Sequence, residues 1–322
     1  MATRAAVRRR GEDDHLERLL RVATCLAMCG YGAQVAQLAG AVRAFYSDAQ
    51  VWGAQVHHRG ALGRMHLMHA AHMGSAARVQ YLLDRGASAD AVDVHGQTAL
   101  MMACEKGHLE TVRCLVERGG ANVNAARTAD GFTALMSASV KGHLETVRFL
   151  VERGGANVDA ARTTDGYTAL MWASAKGHLE TARFLVERGG VNVNTARTTT
   201  GMTSLMWASQ NGYLEIARFL VERGGAIVNA ARTTDGMTSL MGASEKGHLE
   251  IVRFLLESGG ANLNAARTTD GVTALMWASA RGHLEIVTLL LLHGADKQAA
   301  SFAGRTALSF SSAHPLVRAA LA

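Results

Sequence analysis

Only one proline, Pro315, occurs in the 322 residues, which excludes proline-rich linkers and collagen-like triplets. Aromatic residues are scarce at 5%, and cysteine occurs four times. So few cysteines cannot build a disulfide framework, and reduced thiols in the cytoplasm, or the nucleus, are expected. No apolar run reaches the roughly 18 residues that a membrane span needs; the greasiest stretch, residues 286–292, is broken by Thr288. Four arginines lie within residues 1–10, but no apolar stretch backs them, and Glu12, Asp13 and Asp14 follow at once. That order fits neither a secretory signal nor a transit peptide, and Arg8, Arg9 and Arg10 make only a weak nuclear pattern.

What is present is a chain 48% hydrophobic and 19% charged, apolar enough to bury a core and outside the disordered class. The net charge of +6 is dispersed: residues 1–62 carry eight arginines against five acids, while residues 63–165 balance. A nucleic-acid footprint needs a continuous basic stripe. No nucleic-acid partner is expected.

The dominant feature is self-similarity. A glycine opening the block Gly-x-Thr-Ala/Ser-Leu-Met recurs at Gly96, Gly131, Gly166, Gly201, Gly236 and Gly271, in steps of 35 residues. Looser copies stand 33 residues outside this run, at Gly63 and Gly304. In the unit from Gly131, Thr133 is placed to cap a helix reaching about Val140, worth roughly 1 kcal/mol. Leu135, Ala138 and Ser139 give that helix one small-residue face, and Gly142 can end it in a left-handed turn. A second helix is expected from Leu144 to about Glu152, with Leu144, Val147, Leu150 and Val151 as its buried stripe and Gly154 as its stop. The polar stretch to Asp165 is expected to project as a hairpin-like finger. Neither helix reaches the roughly 12–15 residues needed for stability in isolation. The units must stack, which makes an all-α solenoid.

These motifs resemble the ankyrin-repeat family. The carriers are the Gly-His-Leu-Glu blocks at residues 107–110, 142–145, 177–180, 247–250 and 282–285, and the finger Gly-Ala-Asn-Val-Asn at 120–124. The helix opening reads Thr-Ala-Leu-Met, as at 168–171, where the family has Thr-Pro-Leu-His, and most fingers are two residues longer than usual. The resemblance covers residues 63–322: about seven full helix-turn-helix repeats and a partial C-terminal capping repeat, in which His314, Pro315 and Leu316 replace the Gly-His-Leu turn. Residues 1–11 read as a basic tail expected to be disordered. Residues 12–62 read as a helical N-terminal cap; the stretch 42–52, with Phe45, Asp48 and Trp52, also resembles the end of an F-box, without the Leu-Pro opening.

Candidate chemistry is thin. The column His108, His143, His178, His248, His283 repeats at a helix-stacking distance of roughly 8–10 Å, too far apart to converge on one ion, so a structural role is expected. The cluster His57, His58, His66, His69, His72 lacks a carboxylate or cysteine at a known spacing, and Cys25 with Cys29 supplies two ligands only. Cys104 and Cys114 stand where other units carry serine and phenylalanine, and read as core. Glu145, Arg148 and Glu152 form a solvated helix face. Arg127, Arg162, Arg197, Arg232 and Arg267 stand three residues before Asp130, Asp165, Asp235 and Asp270, and read as an alternating ladder that stabilises the fingers; the alternative is a row of anchors for an acidic peptide. No nucleophile elbow, phosphate loop or metalloprotease helix occurs. No catalytic residue, metal or cofactor is assigned.

Partner-binding residues are read from what varies on the constant framework. After the opening glycine come Phe132, Tyr167, Met202, Met237 and Val272, expected as an exposed apolar strip at the finger tips. The sixth position gives Trp172, Trp207 and Trp277, read either as contacts between units or as groove residues. Lys176 and Arg281 follow Trp172 and Trp277 by four residues, in reach of cation–π pairing. The ninth position includes Gln210 and Glu245. The resemblance implies a monomeric protein-protein interaction scaffold that binds its partner on the concave surface of fingers and first helices. The F-box likeness implies an alternative, a substrate receptor of a ubiquitin ligase; a metal-binding or enzymatic repeat protein is disfavoured.

Overall fold

A threonine hydroxyl heads six consecutive repeats, and its chemistry sets where the first helix begins. In the computed structural model, residues 61–322 are described, with side chains from His66 onward. The basic tail and the cap or F-box-like segment, residues 1–60, lie outside the described residues. Thr133 Oγ1 accepts the Met136 N–H at 3.3 Å, and the helix runs Ala134–Lys141. The same cap is made by Thr98, Thr168, Thr203, Thr238 and Thr273. Gly142 ends the helix with φ 71°, a left-handed conformation that a side chain would strain. The chain then reverses into the second helix, Leu144–Glu152.

Two expectations for the second helix are corrected. Its left-handed glycine is Gly155, at φ 66°, and not Gly154. The Gly154 N–H still bonds Phe149 O at 3.0 Å, so the helical turn continues through it. The buried stripe is Thr146, Val147, Phe149 and Leu150, with Leu144 and Val151 only half-buried. The reason is that the helix has two packed sides. One faces its own first helix and the other the second helices of adjacent units. Phe149, Phe184, Phe219 and Phe254 fill that second seam.

First helices stack on first helices and second on second along residues 66–322, which form one compact unit. The core is the seam between these two rows, filled by the repeated leucines, alanines and methionines. Fingers join the repeats. Each is closed by a backbone bond such as Arg127 N–H to Phe132 O at 2.8 Å, and an isolated antiparallel bridge pairs Ala126 with Thr133, Ala161 with Thr168, Ala231 with Thr238 and Ala266 with Thr273.

Polar staples lock the register between units. His143 Nε2 lies 3.1 Å from Glu105 O, and His178, His248, His283 and His314 repeat the contact to Val140, Gln210, Glu245 and Ala280. The histidine column is therefore structural. One unit carries Tyr213 in that column, and there Asn211 Nδ2 donates to Ala175 O at 3.2 Å instead. The two departures from the repeat compensate each other. At the finger base, side chains also donate or accept across units, as where the Asn157 N–H bonds Asn124 Oδ1 at 2.7 Å.

Among the described residues, one helix turns irregular where Cys114 replaces the phenylalanine. Leu109–Arg113 is α-helical and Cys114–Arg118 is a π turn. The array closes with the short helices Ala307–Phe310 and Pro315–Leu321.

Candidate functional site

The finger arginines and aspartates form the backbone of one face. Arg127 grips Asp130 through Nε at 2.7 Å and Nη2 at 2.6 Å. Arg162 grips Asp165 the same way, at 2.8 and 2.5 Å, as Arg232 does Asp235 and Arg267 does Asp270. Three of the arginines also reach back one unit: Arg162 Nη1 lies 3.8 Å from Asp130, Arg197 Nη2 3.0 Å from Asp165 and Arg267 Nη1 3.7 Å from Asp235. Opposite charges alternate along the fingers, as the ladder reading expects. The forked hydrogen bonds of Arg162 hold the Asp165 carboxyl below the usual carboxylate range, against a burial that alone would raise it. The same cause lowers Asp130 and Asp270.

The strip after the opening glycines is not exposed. Tyr167 and Met237 are 6% exposed, and Met202 and Val272 5%; only Phe132 is half-buried. The correction has a physical cause in the ladder. Each of the four finger aspartates accepts the backbone N–H of the next-but-one residue, as Asp165 Oδ1 does from Tyr167 at 3.3 Å. At Phe132 and Tyr167 the ring lies beneath guanidinium groups. The Tyr167 ring has Arg197 at 4.8 Å and Arg162 at 5.5 Å from its centroid, and burial pushes its hydroxyl pKa up to about 12.

The tryptophans lie half-buried beside this strip. Trp172 stacks on Tyr167 at 4.3 Å and meets Phe132 edge-on at 6.2 Å, while Trp207 lies 5.6 Å from Tyr167. The aromatic contacts thus run from one unit to the next, and the rings also border the finger face. Their indole nitrogens are covered and have no hydrogen-bond partner, so the carbon edges are what the face presents. Arg281 sits 5.8 Å over Trp277, as the four-residue spacing suggests, joined by Arg267 at 5.2 Å. Over Trp172 the cation is Arg162, at 5.6 Å. Lys176 and Arg281 are exposed and Gln210 and Glu245 half-buried; Glu245 bonds Arg281 at 2.9 Å.

A family model described as ankyrin repeats (3 copies) matches residues 35–127, 67–162, 154–232 and 225–301. The chain belongs to the ankyrin-repeat family. No curated protein matches it. The first match begins at residue 35, so it takes in the stretch 42–52 that resembles an F-box end. Ankyrin repeats are protein-protein interaction modules, and this array is one. Among the described residues no helix is long and apolar enough to cross a membrane, and no three His, Cys, Asp or Glu side chains converge as metal ligands.

One set of ankyrin contacts escaped the sequence reading. Arg113, Arg148, Arg183 and Arg218 each lie over the phenylalanine of the following repeat, at 5.5, 5.5, 5.7 and 5.0 Å. The ion pair expected of Arg148 with Glu145 is present at 3.8 Å between exposed groups. The signal was available: arginine and phenylalanine stand in adjacent positions of one column pattern, and stacking carries each arginine onto the next ring.

Proposed function

We propose that this ankyrin array is a scaffold that grips a partner protein along the face of fingers and first helices, the concave face in the family. The observation that carries the reading is the column of half-buried Trp172, Trp207 and Trp277 bordered by exposed Lys176 and Arg281. Tryptophan, tyrosine and arginine supply most of the binding energy at protein interfaces. Phe132, Tyr167, Met202, Met237 and Val272 act beneath them as the bed that fixes their positions, while Gln210 and Glu245 lend polar selectivity. An interface of ordinary size needs about 800 Å² on each partner, which several adjacent repeats provide.

A protein partner suits the face better than a nucleic acid does. Four finger arginines already hold carboxylates of their own, so the row presents no free basic stripe. The scaffold acts as a monomer in the cytoplasm or nucleus, with no cofactor and no chemistry of its own.

The test is affinity purification of partners with the full chain, followed by the triple change Trp172→Ala, Trp207→Ala, Trp277→Ala. Each ring is only half-buried, so the helical circular dichroism should survive. Loss of the partner with the fold retained is expected. Capture that is undiminished in the folded triple variant would reject the face.

A further inference from the structure

The alternating ladder has one missing rung. From Arg127 to Asp270 every finger supplies an arginine and, three residues later, an aspartate, except that position 200 is threonine. Thr200 Oγ1 takes over one task of the aspartate, accepting the Met202 N–H at 3.4 Å. It cannot supply the charge. Arg197 is left with Asp165 of the preceding finger as its carboxylate, held through Nη2 at 3.0 Å. Its Nε has no hydrogen-bond partner, whereas in the other four fingers that nitrogen bonds the local aspartate.

The next arginine is affected as well. Arg162 and Arg267 reach back to the preceding aspartate at 3.8 and 3.7 Å; for Arg232 the preceding residue in that register is Thr200. The Thr233 N–H bonds Thr200 O at 3.0 Å, so the stacking that sets this register is intact. Two guanidinium groups therefore flank a position that holds no carboxylate. Their side chains are 21% and 23% exposed, although the Arg197 Nε itself is covered. The finger is also the one among these in which the bridge pair, here Ala196 and Thr203, does not form. Trp207 stands beside the gap, since it and Arg197 both touch the Tyr167 ring.

We propose that the Thr200 gap is a carboxylate-docking subsite: an aspartate or glutamate of the partner protein enters between Arg197 and Arg232 and completes the ladder. The inference rests on the binding face proposed above and names the chemistry of its partner. A guanidinium pair suits a carboxylate, which it binds through charge-assisted hydrogen bonds from the nitrogens that Asp165 and Asp235 leave free. Elsewhere along the fingers the protein's own aspartates exclude such a group, so the gap fixes the register in which an acidic segment lies on the face.

The experiment selects a random-peptide phage library on the full chain, in parallel with Thr200→Asp, Thr200→Asn and the triple tryptophan variant. Peptides from the unaltered chain should carry an acidic residue at one fixed position. Thr200→Asp supplies the rung from within; it should weaken those peptides about tenfold to a hundredfold and raise the midpoint of thermal unfolding by about 2–4 °C. Thr200→Asn has the same shape without the charge and should do neither. Peptides that need the tryptophans but show no fixed acidic position overturn this subsite and leave the binding face standing. Equal binding to Thr200→Asp, or a midpoint that it fails to raise, also overturns it. A library that yields no binders, or binders indifferent to the tryptophans, removes the face and the subsite together.

Discussion

Replacing Asp165 with alanine removes the most heavily used carboxylate of the ladder. Its oxygens accept from Arg162 Nε at 2.8 Å and Nη2 at 2.5 Å, from Arg197 Nη2 at 3.0 Å and from the Tyr167 N–H at 3.3 Å. The residue is 6% exposed, so the change strands two guanidinium groups and a buried N–H. Removing one partner of a buried, hydrogen-bonded ion pair costs about 3–5 kcal/mol. Both arginines keep part of their surface in water, which places the expected loss near the lower end, about 3 kcal/mol. Asp270 is the internal control. Its side chain is 38% exposed, and Asp270→Ala should cost about 1 kcal/mol. Position matters beyond magnitude. A stacked array is stabilised by neighbour-to-neighbour interfaces, and Asp165 joins two consecutive fingers near the middle. Urea titration followed by circular dichroism should show the Asp165→Ala transition broadening or splitting, with residues on either side unfolding separately, whereas Asp270→Ala shifts the curve as one. Equal, small shifts for both variants would refute the claim that the ladder couples the repeats.

Acid should undo the same ladder. The carboxyls of Asp130, Asp165 and Asp270 titrate below their unfolded range, so the folded chain binds fewer protons than the unfolded one as pH falls. Their contribution is complete above about pH 4 and is lost as pH drops through the folded values; a thermal midpoint that stays level from pH 6 to pH 3 would contradict it. Asn211→Ala removes the only staple from Ala175 O to the following unit and should cost about 1 kcal/mol; restoring the repeat with Asn211→Lys and Tyr213→His together should recover it, as measured by denaturant midpoints. The Ser174 hydroxyl is fully buried with no partner, so Ser174→Ala should leave stability unchanged or raise it by up to about 1 kcal/mol, and a loss above that would show a hidden acceptor.

The repeat, its helices and its caps were legible from residue order alone. Thr133, Gly142 and the span from Leu144 to Glu152 act through bonds to near neighbours in the chain, and such local rules repeat wherever the residues do. The ion-pair ladder was legible for the same reason, since Arg162 and Asp165 are three residues apart. Which side chains become surface was not legible. Tyr167, Met202, Met237 and Val272 vary between units as exposed residues do, yet they are buried, Tyr167 beneath two guanidinium groups, one of which comes from the next finger. Phe149 was left out of the expected stripe, yet it is buried with the preceding unit's Arg113 over its ring. These outcomes depend on contacts between residues of successive units, 36 positions apart for Arg113 with Phe149 and 30 for Tyr167 with Arg197, and only the stacking of the units fixes them. The exchange of His for Tyr213 and of Lys for Asn211 reads as drift along the chain. Stacking turns it into one hydrogen bond, because the Ala175 carbonyl accepts whichever donor the neighbouring unit brings within reach.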